Sequence, residues 1–205
     1  MKVLRVSNHP SENNHGVGLH PYKISETNEF DTLFVCPLST INDSYIEARN
    51  YELISSKVFF KKRPTKSSFL KLVIFHLERI YGLSIFSLFS INHARKRNLD
   101  IVHIHSPMYL IIACWGKLTG KITCITYHGT DYLRIKDSNI YRILSKRFID
   151  IGFCISPHMI EKMKFNHDEV KYIPNGVDTK FFVNRKENRK KILLAVGSLK
   201  KEKSF

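Results

Sequence analysis

Residues 100–129 read DIVHIHSPMYLIIACWGKLTGKITCITYHG, and this stretch decides the fold. Ile101 to His105 alternates apolar residues with histidine and predicts a strand. Met108 to Leu118 is apolar around much of a helical wheel, and Gly120 is placed to end that helix. Ile122 to Tyr127 is a second strand, rich in β-branched and aromatic residues. A strand, a helix and a strand in so short a space imply parallel strands joined by a right-handed crossover. An unbroken apolar strand such as ITCIT suits a sheet covered on both faces.

The same alternation extends in both directions. VLRV at 3–6 reads as a first strand, followed by the polar loop SNHPSENNHGVG and a helix from Leu19 to about Thr27. DTLFVCP is a second strand, and YELISSKVFF is compatible with a third. From Ser67, Leu70, Val73, Ile74, Leu77, Ile80 and Tyr81 recur at helical spacing, which predicts a helix with that face buried. A separate helix is expected from about Leu83 to Arg97. Downstream, NIYRILSKRFID and HMIEKMKF read as helices, and IGFCISP and EVKYIP as strands. The fold class is therefore α/β, a doubly wound parallel sheet of Rossmann-like type. This domain is assigned to residues 1–182. The polar stretch VNRKENRKK at 183–191 reads as a linker, and 192–205 as the first strand and loop of a further domain.

The chain has 205 residues, 43% hydrophobic and 25% charged, which fits a globular domain. Its net charge of +15 favours anionic partners: phosphorylated substrates, acidic lipid or nucleic acid. Cys36, Cys114, Cys124 and Cys154 are scattered, with no C-x-x-C pair, and read as small buried thiols. MKVLRVSNHP alternates and turns too early for a signal peptide. The uncharged runs Ile80–Ala94 and Ile101–Gly116 are shorter than a spanning helix requires, so no transmembrane helix is expected, and the scattered thiols suit a reducing, cytoplasmic location.

Ligands of open parallel sheets bind outside the carboxyl ends of the strands, near the reversal of strand order. Three polar clusters belong there. The loop after the first strand carries Asn8, His9, Gly16 and Gly18; its glycines permit close backbone approach to an anion, and a plain connecting loop is the competing reading. In DIVHIHSP, alternation puts Ile101, His103 and His105 on one face. His103 and His105 form a His-x-His pair without a third ligand at useful spacing, so no metal site is expected. They are either satisfied sheet-end histidines, or His105 contacts substrate. In YHGTDY, Gly129 permits a tight turn, His128 projects toward the crevice as a hydrogen-bonding imidazole, and Asp131 caps the next segment or binds a hydroxyl. IPNGVDTKFF contains the turn Asn175-Gly176 and an N-cap candidate in Asp178.

Taken in order, HGVG, DIVHIHSP, ITYHGTD, CISPHMIEKM, KYIPNGVDTKFF and LLAVGSLKKEK resemble the N-terminal half of retaining, two-domain (GT-B) nucleotide-sugar glycosyltransferases of family four. The resemblance implies two Rossmann-like domains facing across a cleft, with the acceptor held mainly by the N-terminal one. It implies transfer from a nucleotide-sugar to a glycan or lipid-linked acceptor with retained configuration. Neither metal nor other cofactor is expected. On this resemblance His128 lies near the transferred sugar, Gly16 and Gly18 close over the donor phosphates, and His105, Gly129, Asp131 and Asn175 line the substrate groove. Lys203 falls at a donor-phosphate lysine, whereas Ser198 stands where the family places an arginine, removing a bidentate phosphate donor. The family's paired glutamates of the donor domain have no counterpart here. The expectation is that 192–205 begins a truncated donor domain, that the chain is inactive alone, and that a separately encoded donor domain is a candidate partner.

Between Lys57 and Arg97 stand ten Lys or Arg residues and one acid, Glu78, interleaved with Phe59, Phe60, Phe69 and Phe75. Two readings stay open: docking on an anionic membrane surface, where lipid-linked acceptors reside, and a solvated basic face. A non-catalytic basic module for membrane or nucleic acid is the alternative function. Nucleic acid finds no recognition motif or aromatic strand platform in its support.

Overall fold

The computed structural model describes residues 1–8, 19–25, 29–37, 52–57, 68–129, 131, 138–164 and 167–176. Gly16, Gly18, Asp178, Ser198, Lys203, the linker 183–191, the stretch 192–205 and the basic segment 58–67 lie outside the described residues. Met1–Asn175 form one compact unit; Gly176–Phe205 group separately.

Seven parallel strands form one sheet in the order β3-β2-β1-β4-β5-β6-β7. They are β1 (Lys2–Val6), β2 (Asp31–Pro37), β3 (Glu52–Ser56), β4 (Ile101–Ile104), β5 (Ile122–Tyr127), β6 (Ile151–Cys154) and β7 (Glu169–Tyr172). Every pairing is parallel, with Val6 opposite both Val35 and Ile104. The helices are α1 (Leu19–Ser25), α2 (Phe69–Arg95), α3 (Leu110–Leu118), α4 (Asn139–Phe148) and α5 (Met159–Met163), with a 3₁₀ turn at Pro107–Tyr109. Strand order reverses between β1 and β4, which sets the switch point of a doubly wound sheet.

The apolar strands are buried because helices cover both faces. β2 is exposed only at Asp31, and β5 only at Ile122. The main core joins Leu4, Val6, Val102, Ile104 and Ile125 to Phe86 of α2 and Ile112 and Ala113 of α3. Gly116 lets α3 approach β4 closely: a Cβ there would stand 2.7 Å from Val102 Cγ2. As expected, Gly120 closes α3 with a positive φ of 74°, its N–H donating to the Lys117 carbonyl.

The long helix departs from expectation twice. Gly82 does not divide it; one helix of 27 residues runs from Phe69 to Arg95. A single glycine costs a helix about 1 kcal/mol, too little to break one whose later turns are packed. Second, the face expected to be buried is exposed: Leu70 67%, Leu77 61%, Ile80 62% and Tyr81 70%. The reason is length. At 1.5 Å per residue the helix spans about 40 Å, whereas strands of this sheet span roughly 13–23 Å. Its buried residues Phe86, Ser87, Ser90 and Ala94 all fall in the later turns, and Phe75 alone is buried in the earlier ones. By length and composition, with a mean hydropathy of 1.5 over its most apolar window, α2 would suffice to cross a membrane. Those packed later turns, however, belong to the core of the domain.

Candidate active site

β4 and β5 end side by side at the carboxyl edge of the sheet, beside the switch point. Each delivers a histidine from the residue following its strand. His105 continues the β1–β4 pairing, its backbone N–H donating to the Val6 carbonyl at 2.9 Å. It is fully buried. His128 is half-buried, and Gly129 follows it at a φ of 98°. A Cβ at Gly129 would meet nothing, so the dihedral and not space calls for glycine there.

His105 Nδ1 lies 3.4 Å from His128 Nε2. A third imidazole, from His20 on α1, completes the group, with ring centroids 6.0 Å from His105 and 5.3 Å from His128. One ring nitrogen from each of the three lies within 4.8 Å of the others. His20 Nδ1 and His105 Nε2 are buried without a hydrogen-bond partner. Burial lowers the pKa of all three, His128 to about 4, with the Arg5 charge adding to the effect on His20 and His105. At neutral pH each is therefore an uncharged imidazole able both to donate and to accept.

Arg5, from β1, lies beneath this rim and is only 4% exposed. Its Nη1 donates to Ser25 Oγ at 3.2 Å, and its Nε has no partner. Among the described residues no carboxylate pairs with it. Burial brings its pKa down to about 10, still leaving the guanidinium charged at neutral pH. A buried cation set among neutral imidazoles gives the rim a positive potential.

The sequence candidates divide. His105, His128 and Gly129 come together. His103 lies beside His105, with ring centroids 4.2 Å apart, but its Nε2 pairs with Thr126 Oγ1 at 2.8 Å, and burial holds its pKa down to about 3, as for a satisfied sheet histidine. Asp131 is half-buried; burial pushes the Tyr127 and Tyr141 phenols up, and the Asp131 charge adds to the effect on both. Asn175 is exposed after β7, which lies two strand spacings, roughly 10 Å, beyond β5. Asn8 serves the fold, its Oδ1 accepting from the buried Tyr109 hydroxyl at 2.9 Å. Sequence reasoning missed His20 and Arg5. Both carried a signal: a histidine opening the helix after the first loop, and a lone cation inside an apolar strand.

A switch-point rim on a parallel seven-stranded sheet defines a Rossmann-like α/β domain of the kind that forms one half of GT-B glycosyltransferases. The sequence profile of Glycosyltransferase Family 4 matches residues 58–181, more than half of the chain, and the chain belongs to that family. No curated protein matches the sequence. Among solved structures, it is similar to Anabaena HepE in complex with UDP and glucose, at 14% identity and a TM-score of 0.59 over 88% of this chain and 46% of that one. A Thermosynechococcus elongatus sucrose-phosphate synthase structure is similar at 14% identity and a TM-score of 0.53, over 87% of this chain and 91% of that one. Phytolacca americana UGT2 complexed with UDP-2-fluoro-glucose and pterostilbene is similar at 10% identity and a TM-score of 0.53, over 84% and 54%. The chain thus spans about half the length of HepE and of UGT2.

Proposed function

We propose that the chain supplies the acceptor-side half of a glycosyltransferase that moves a sugar from a nucleotide-sugar to a glycan or lipid-linked acceptor with retained configuration. The observation that carries this is the meeting of neutral His105 and His128 above the buried Arg5 at the switch point of a family-four chain. A neutral imidazole hydrogen-bonds sugar hydroxyls in either sense, and the cation beneath favours the donor diphosphate. HepE and UGT2, bound to UDP with glucose and to UDP-2-fluoro-glucose, support a nucleotide-sugar as the donor class. In this reading His128 sits beside the transferred sugar, Gly129 and Asn175 line the groove, and Asp131 caps the segment after Gly129 or binds a hydroxyl. Gly16, Gly18 and Lys203 approach the donor phosphates, and a second domain, encoded with the chain or separately, provides the facing wall. No metal or other cofactor takes part in the transfer.

Saturation-transfer NMR of the chain with UDP- and GDP-sugars tests this, because it detects millimolar binding. Sugar-ring protons should take up saturation in the wild type and lose it in His128→Ala. Equal saturation in both would refute the assignment. In the assembled enzyme the same substitution should lower kcat by about 10²-fold.

We further propose a cytoplasmic site of action at the inner face of a membrane, a reading that α2 supports. Its exposed apolar stripe lies beside Lys71 and Arg79 and continues the basic run from Lys57. Each basic residue near an anionic bilayer contributes about 1 kcal/mol, and the apolar side chains add interfacial burial. Sedimentation with anionic but not neutral vesicles is expected, and Leu77→Glu with Ile80→Glu should abolish it. Equal binding to neutral vesicles would remove the electrostatic account, and binding to neither would favour a simple solvated face.

A further inference from the structure

We infer that His20, His105 and His128 form a three-imidazole site for a divalent transition metal, zinc above all. Tetrahedral zinc takes nitrogen ligands at about 2.0–2.1 Å, which sets neighbouring ligand nitrogens about 3.4 Å apart. His105 Nδ1 and His128 Nε2 already stand at that separation, 3.4 Å. One nitrogen from each of the three rings lies within 4.8 Å of the others, so a movement of roughly 1.4 Å brings the widest pair to that separation. His20 is half-buried on a short helix. Its Nδ1 is buried and unpartnered, a polar atom whose hydrogen bonding a metal would satisfy. Three imidazoles leave the fourth position open to water, since His20 and His128 are only half-buried.

Two features set the affinity. His105 Nε2 has no partner, so one ligand lacks the outer hydrogen bond that normally orients a zinc histidine. The Arg5 guanidinium, near enough to act on His20 and His105, repels a second cation. Loss of outer-shell support typically weakens binding 10–100-fold, so zinc should bind correspondingly more weakly here than at a fully supported three-histidine site. Resting on the sugar-transfer reading, zinc here is an inhibitor: it ties up the imidazole placed beside the sugar.

Titration calorimetry of the metal-free chain with zinc sulfate should give one site per chain. Cobalt(II) chloride should give the visible bands of a tetrahedral complex. His20→Ala and His128→Ala should each weaken zinc by at least about 10-fold, whereas His76→Ala and His158→Ala, both exposed, should leave it unchanged. No heat with zinc at ~100 μM, or equal binding by His20→Ala and the wild type, would overturn the site. Calorimetry needs no sugar, so failure here leaves the transfer reading intact. Conversely, sugar contact that survives His128→Ala while zinc binding does not would sink that reading alone.

Discussion

Acid should destabilise this domain through His167, a residue remote from the imidazole rim. It is 1% exposed and stands where Gly152 of β6 leaves it space, since a Cβ there would come 2.8 Å from its Cδ2. Its Nε2 lies 2.6 Å from the Tyr127 hydroxyl, which lies 2.8 Å from that of Tyr141. Its Nδ1 has no partner, so a second proton would create an unsatisfied buried donor as well as a buried charge. Burial brings its pKa down to about 4, with Asp168 opposing and Lys146 reinforcing the change. In the unfolded chain it titrates near 6.5, so between those values the unfolded state binds the extra proton. The stability it contributes is thus full above about pH 6.5 and disappears as pH falls toward 4. The gap from 6.5 to about 4 is worth ~3 kcal/mol in full, of which ~2 kcal/mol has gone by about pH 5. Urea unfolding of the wild type and His167→Gln at about pH 7.5 and about pH 5 measures this directly, because contributions of the other histidines cancel in the comparison. The wild type should lose ~2 kcal/mol more than the variant. Parallel losses would refute the reasoning.

Two further outcomes follow from the packing. Gly116→Ala forces a Cβ to 2.7 Å from Val102 Cγ2 and 3.2 Å from Thr123 Cγ2, so unfolding in urea should show a loss of ~1–3 kcal/mol; an unchanged midpoint would show that α3 shifts freely. Ser138 caps α4, its Oγ accepting from the Tyr141 N–H at 3.2 Å, and Ser138→Ala should lower stability by ~1 kcal/mol in the same assay, while Ser138→Asp should restore it.

Periodicity alone was enough for the α/β class, because a parallel sheet buried on both faces demands continuous apolar strands and crossover helices. ITCITY could scarcely be anything else, and HGTD after it marked the turn by its glycine. The order of motifs likewise indicated the family. Periodicity failed on α2. Leu70, Leu77 and Ile80 repeat as buried residues do, yet a stripe in sequence says only that one face is apolar. Whether anything covers that face depends on the reach of the sheet against the length of the helix, and only the assembled layers decided it. The candidate site divides along the same line. His105 and His128 were legible because each directly follows a strand, and strand ends in parallel sheets share one rim. Their meeting with His20, with Arg5 below, was not legible. Those four residues come from β1, α1 and the ends just past β4 and β5, up to 123 positions apart in the chain. Their nearness comes from the parallel β1–β4–β5 pairing and the packing of α1 over it, which no local pattern encodes.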